Sequence, residues 1–136
     1  MKKLKFLQIH FQSFEDFKNE VTKALTTRST SIQPKEHIIF DSVASFRNFM
    51  TIQKIELLTS IATRKPSSIY ELAQFVDRDF AAVLRDCTGL ETIGFIRLKD
   101  VNDSKKTKIP QLKFEYCGIA IFLPKSPYQI EFKVAA

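Results

Sequence analysis

At 136 residues the chain has the length of one domain with short extensions, because domains cluster at about 100–150 residues, and it leaves no room for a second catalytic domain. With 44% apolar and 26% charged residues it lies in the globular range, which excludes a disordered chain. Lys and Arg number 21 against 15 Asp and Glu, a net charge of +6 that favours a polyanionic partner, although the excess is spread out and forms no polybasic tail.

Residues 3–11 read as a strand. Ser13 stands three residues before Asp16, and Phe14, Phe17, Val21 and Leu25 recur at helical spacing, so a capped amphipathic helix is predicted over about 14–26. The Thr- and Ser-rich stretch 26–34 ends in Pro34 and reads as a loop. Residues 37–40, HIIF, suggest a short strand, and Asp41-Ser42 offer N-cap oxygens for a helix carrying Val43, Phe46, Phe49 and Met50.

Three closely spaced helices follow. Thr51 caps the first, whose apolar face is expected to comprise Ile52, Ile55, Leu57, Leu58 and Ile61, and Lys65-Pro66 ends it. Ser68-x-x-Glu71 is a capping box opening a short helix with Ile69, Leu72, Ala73 and Phe75 inward. Val76-Asp77-Arg78-Asp79 then breaks the period in a tight turn. The third helix, about 79–93, places Phe80, Val83, Cys87 and Leu90 inward, and Gly94 occupies the left-handed stop position.

Beyond Gly94, residues 95–99 read as a strand, 100–108 as a polar basic loop and 109–116 as a second strand. An apolar segment, 118–123, lies between Cys117 and Pro124. Pro127 and an alternating stretch, Tyr128–Val134, follow it. With the hairpin complete at Tyr116, the tail is expected to serve a dimer or partner, for instance by adding a strand to another edge.

The order helix, capped short helix, turn, longer helix, glycine and two-stranded ribbon is that of a winged helix-turn-helix. The pieces Thr51-x-x-Lys54-x-Glu56-Leu57-Leu58, Pro66-Ser67-Ser68-Ile69-x-Glu71-Leu72-Ala73, Arg78-Asp79 with Val83-x-Arg85-Asp86, and Leu90-Glu91-x-x-Gly94-Phe95-Ile96 carry a resemblance. From Met50 to Tyr116 the sequence resembles prokaryotic winged-helix regulators, distantly related to the multiple-antibiotic-resistance type, several of which look like antitoxins of toxin–antitoxin operons. It departs from their pattern at Cys87 and Gly89 inside the third helix. The resemblance implies an autoregulating repressor that binds its operator as a dimer and neutralises a cognate toxin.

The candidate DNA contacts are Ser67, Ser68, Arg78, Ala82, Arg85, Lys105, Lys106 and Lys108. Arg85, on the polar side of the third helix, suits guanine N7 and O6, or else pairs with Asp86, Asp79 or Glu91. Ser67 and Ser68 are candidate donors for a phosphate, with Ser68 more securely a structural cap. Arg78 either touches phosphate or holds the turn through Asp77. Lys105, Lys106 and Lys108 are a local run of bases without an intervening acid, and a ribbon tip is where such a run meets the DNA backbone.

Cys87 and Cys117 form no CxxC pair and read as reduced thiols. His10 and His37 read as isolated strand residues with packing or surface roles. HExxH, GxSxG and glycine-rich phosphate-loop patterns are absent, so neither catalysis, cofactor nor metal is expected. The start, MKKLKFLQIHF, fails as a signal peptide, and no apolar run approaches the roughly 20 residues of a bilayer span. A cytoplasmic location follows. The overall expectation is an α+β protein with an N-terminal strand-helix extension (1–40), a DNA-binding unit (41–116) and a C-terminal β tail (117–136). The rival is a winged-helix interaction module that binds protein alone.

Overall fold

The computed structural model describes residues 4–26, 36–101 and 104–124, and of Phe14, Phe17, Glu20, Ala24, Leu25, Thr26, Ser104, Lys105 and Lys106 the backbone alone. In chain order the elements are β1 (Phe6–Phe11), α1 (Phe14–Thr26), β2 (His37–Phe40), α2 (Val43–Phe49), α3 (Ile52–Arg64), α4 (Ile69–Phe75), α5 (Phe80–Ile93), β3 (Ile96–Val101), β4 (Ser104–Leu112) and β5 (Gly118–Ile121). Among the described residues the fold is therefore α+β, with five helices and two small sheets. No helix there is long and apolar enough to cross a membrane. Of the expected loop 26–34, Thr26 ends α1, and the remainder lies outside the described residues, as does the alternating stretch Tyr128–Val134.

Two compact units divide the chain. One holds residues 4–5 with 50–117; the other holds the described residues of 6–49 and 118–136.

In the second unit β1 is central, parallel to β2 from Gln8↔His37 to Phe11↔Phe40 and to β5 from Phe6↔Gly118 to Ile9↔Ile121. Parallel neighbours cannot be joined by a hairpin, and α1 lies in the connection between β1 and β2. Ser13 Oγ accepts from the Asp16 amide at 3.1 Å and Ser42 Oγ from the Ser45 amide at 3.1 Å, so both N-caps form as predicted. Strand periodicity puts Leu7, Ile9, Ile38 and Phe40 on one buried face. The Phe46 ring of α2 meets Phe40 and Phe11 edge-on, with centroids 5.2 and 5.9 Å apart. At Gly118 a Cβ would stand 3.2 Å from Phe6 Cδ1, so the strand approaches this ring most closely without a side chain.

The opposite face carries half-buried Gln8, His10 and His37. The two histidines are adjacent rather than isolated, a relation that only the parallel register creates: their ring centroids are 4.9 Å apart, and His10 stacks on Phe122 at 4.6 Å. His10 Nε2 also lies 3.1 Å from Gln8 Oε1. Burial holds both imidazoles below their usual pKa of 6.5. The neighbouring His37 adds to this for His10, and Glu36 opposes it for His37.

β5 corrects the expectation that residues 118–123 remain available for a partner. The segment is a strand of the chain's own sheet, and the Phe122 amide donates to Ile9 O at 2.9 Å. Pro124 lies in a turn three residues beyond the end of this strand.

In the first unit Thr51 Oγ1 accepts from the Lys54 amide at 3.2 Å, and Lys65 at φ 45° closes α3 before buried Pro66. Leu57, Leu58 and Ile61 are buried, whereas Ile52 is 76% and Ile55 49% exposed. The apolar face of α3 is thus narrower than its sequence suggests. Gly94, at φ 111°, ends α5 by donating to Leu90 O, and the Phe95 amide donates to the same carbonyl. Phe95 and Ile96 are fully buried, and the Phe95 carbonyl accepts both the Lys113 amide and the Tyr116 hydroxyl, at 3.2 and 2.9 Å. Burial raises the pKa of that hydroxyl. It also pushes the Cys87 thiol up to about 12, Asp86 adding to the effect and Arg78 opposing it.

β3 and β4 pair antiparallel from Ile96↔Leu112 to Val101↔Ser104, with an irregularity at Asp100/Val101. The expected loop at 100–108 is largely strand, because β3 extends to Val101 and β4 begins at Ser104. The predicted second strand is correspondingly shorter at its far end, stopping at Leu112 rather than Tyr116.

Candidate nucleic-acid interface

Backbone turns and one ion pair fix α4 against α5. Ser68 Oγ accepts from the Glu71 amide at 3.0 Å. The Glu71 carboxylate accepts from both the amide and the hydroxyl of Ser67, at 3.1 and 3.2 Å. The two serines are therefore structural caps first, and the hydroxyl proton of Ser67 is committed. The turn then forms as Val76, Arg78 and Asp77 donate to Leu72 O, Ala73 O and Gln74 O, with Asp77 at φ 52°.

Arg78 has a partner that neither of its sequence-based roles names. Its Nη2 lies 2.9 Å from Asp86 Oδ2, with side chains only 18% and 15% exposed. It therefore locks the turn to α5 through Asp86 and not through Asp77. Its Nη1 is buried without a hydrogen-bond partner. Sequence separation hides this pair, since eight positions and a turn lie between its members.

On α5, Val83, Cys87 and Leu90 are buried and face inward, as predicted, while Phe80 is 43% exposed. Phe80 sits in the first turn, one turn ahead of the packed Val83. Arg85 is exposed and Ala82 half-buried, whereas Ala81 and Leu84 are exposed. Of the expected rivals for Arg85, Asp86 holds Arg78, and Glu91 Oε2 accepts from the Leu98 amide at 2.7 Å, tying α5 to β3. Among the described residues Arg85 has no ion-pair or hydrogen-bond partner. Sequence reasoning missed Ala81 and Leu84. Their signal was available, since both fall off the spacing of Val83, Cys87 and Leu90.

On the ribbon, Lys105, Lys106 and Lys108 lie on β4, and half-buried Lys108 is opposite Asp100 in the register. The side chains of Lys105 and Lys106 fall outside the description. Arg97 Nε donates to Gln111 Oε1 across the two strands at 3.1 Å. Behind the ribbon a cleft of ≈ 950 Å³ is lined by residues including Ile61, Pro66, Pro110, Leu112 and Phe114. Among the described residues no three His, Cys, Asp or Glu side chains gather into a metal site.

No curated protein and no solved structure matches the chain. The sequence profile of the HVO_A0114 family matches residues 49–116, which are 68 of the 136 residues, and cover α3, α4, α5, β3 and β4. The chain belongs to the HVO_A0114 family.

Proposed function

We propose that residues 50–116 are a winged helix-turn-helix that binds double-stranded DNA, with α5 in the major groove and the β3–β4 ribbon against the backbone. The observation that carries this reading is the charge arrangement on α5. Asp86, one of the acids that in sequence offset the basic residues, is paired with Arg78, the Glu91 carboxylate is held by the Leu98 amide, and Arg85 is left exposed and unpaired among the described residues. A guanidinium so placed is suited to guanine O6 and N7. The net charge of +6 adds long-range attraction to a polyanion.

The chain then works in the cytoplasm as a dimeric repressor, since two half-sites multiply the few base contacts of one small module. The antitoxin role rests on the sequence resemblance alone. Rescue of growth when the chain is co-expressed with the product of an adjacent gene tests it.

DNA binding is tested by titrating duplex across salt concentrations. The affinity should fall steeply as salt rises, and Lys105→Ala with Lys106→Ala should reduce the log–log slope by about 2, one counterion per phosphate contact. Exposed Ile52, Ile55 and Tyr70 favour the rival reading, a protein-interaction module. Absence of duplex binding at low salt would establish that rival.

A further inference from the structure

We infer that α5 reads DNA chiefly through the 5-methyl groups of thymine, around a single guanine taken by Arg85; this rests on the DNA-binding reading above. The exposed residues of α5 are Phe80, Ala81, Leu84, Arg85, Thr88, Glu91, Thr92 and Ile93. The Thr88 hydroxyl donates to Leu84 O at 2.8 Å and the Thr92 hydroxyl to Thr88 O at 2.9 Å, so neither has a proton left for a base. Arg85 is then the one side-chain donor on this face. Ala81 and Leu84, the latter 37% exposed, present only carbon, and Phe80 adds a partly exposed ring in the first turn.

A phosphate anchor at this end of the helix is the natural alternative, and the charges oppose it. Exposed Asp77 and Asp79 stand at the N-terminus of α5, and Asp79 makes no capping hydrogen bond that would disperse its charge. Two carboxylates repel a phosphate there. The contribution of the face is therefore to base edges, where the thymine methyl is the one apolar group that the major groove displays, and alanine, phenylalanine and threonine methyls are its usual partners. Arg85 supplies the positive charge of this face, Asp86 being already paired with Arg78.

The test begins with a tight-binding duplex selected by the full chain from a random pool. That duplex is resynthesised with deoxyuridine in place of each thymine, which deletes one methyl and changes no hydrogen bond. Each contacted methyl should be worth about four-fold in affinity, from roughly 0.8 kcal/mol per buried methyl-sized group. Leu84→Ala should bring the thymine-to-deoxyuridine ratio to one at a single position, while an unchanged far-UV circular dichroism spectrum and thermal midpoint certify the fold. Tight, salt-dependent binding that is indifferent to deoxyuridine at every position would overturn the inference and leave DNA binding intact. Failure to bind any duplex at low salt would overturn both.

Discussion

His10 and His37 show how a register can create chemistry that neither residue has alone. Their rings meet because parallel pairing sets Gln8 opposite His37, and both imidazoles are held below pKa 6.5, first by burial. Folded, the pair resists protons that the unfolded chain accepts from about pH 6.5 downward. Stability contributed by the neutral pair is thus fully present above that pH and is lost as the pH falls below it. Urea midpoints measured between pH 8 and 5 should decline across the acid half of that range, and His10→Gln with His37→Gln should flatten the decline. An equally steep decline in the double variant would remove the pair as its source. Neither this contact nor that of Arg78 with Asp86 is legible in the sequence, because each depends on where another segment arrives.

Helix limits were legible because they are local chemistry. Ser13, Ser42, Thr51 and Ser68 each accept an amide three residues on, and Gly94 takes the left-handed stop that its position announces. Gly94→Ala should cost about 1–2 kcal/mol, the penalty of an L side chain at that backbone angle, measured by denaturant titration; a cost near zero would mean that the end of α5 relaxes freely. The ribbon was less legible. Its polar run of Ser, Lys and Thr resembles a loop by composition, yet β3 and β4 continue into it because backbone pairing does not require apolar side chains. Ile52, Ile55 and Phe80 were misjudged for a related reason: helical spacing places a residue on a side of its helix, but whether anything packs there depends on the partner.

Across the molecule, the fold class and the succession of helices could be read from the sequence, and the joining of β5 to β1 could not. Parallel pairing over such a separation leaves no local signature, and the alternation that marks a strand does not name its neighbour. Removal of residues 118–136 should therefore raise amide exchange in β1 sharply, above all at Leu7 and Ile9, since β1 loses its pairing with β5. Unchanged protection at those amides would count against the pairing.

That pairing also fixes an order of events during synthesis. Phe6 and Gly118 are register partners 112 positions apart, and all of residues 50–117 are translated between them. At about 5–20 residues per second, roughly 5–20 s pass after β1 leaves the ribosome before β5 exists. Through that interval β1 offers one edge of unpaired amides and carbonyls, a template for any extended chain nearby. A message cut short after codon 117 would yield molecules that carry every residue of the proposed DNA surface and keep that edge permanently vacant. Such truncated chains should aggregate more readily than the full-length protein.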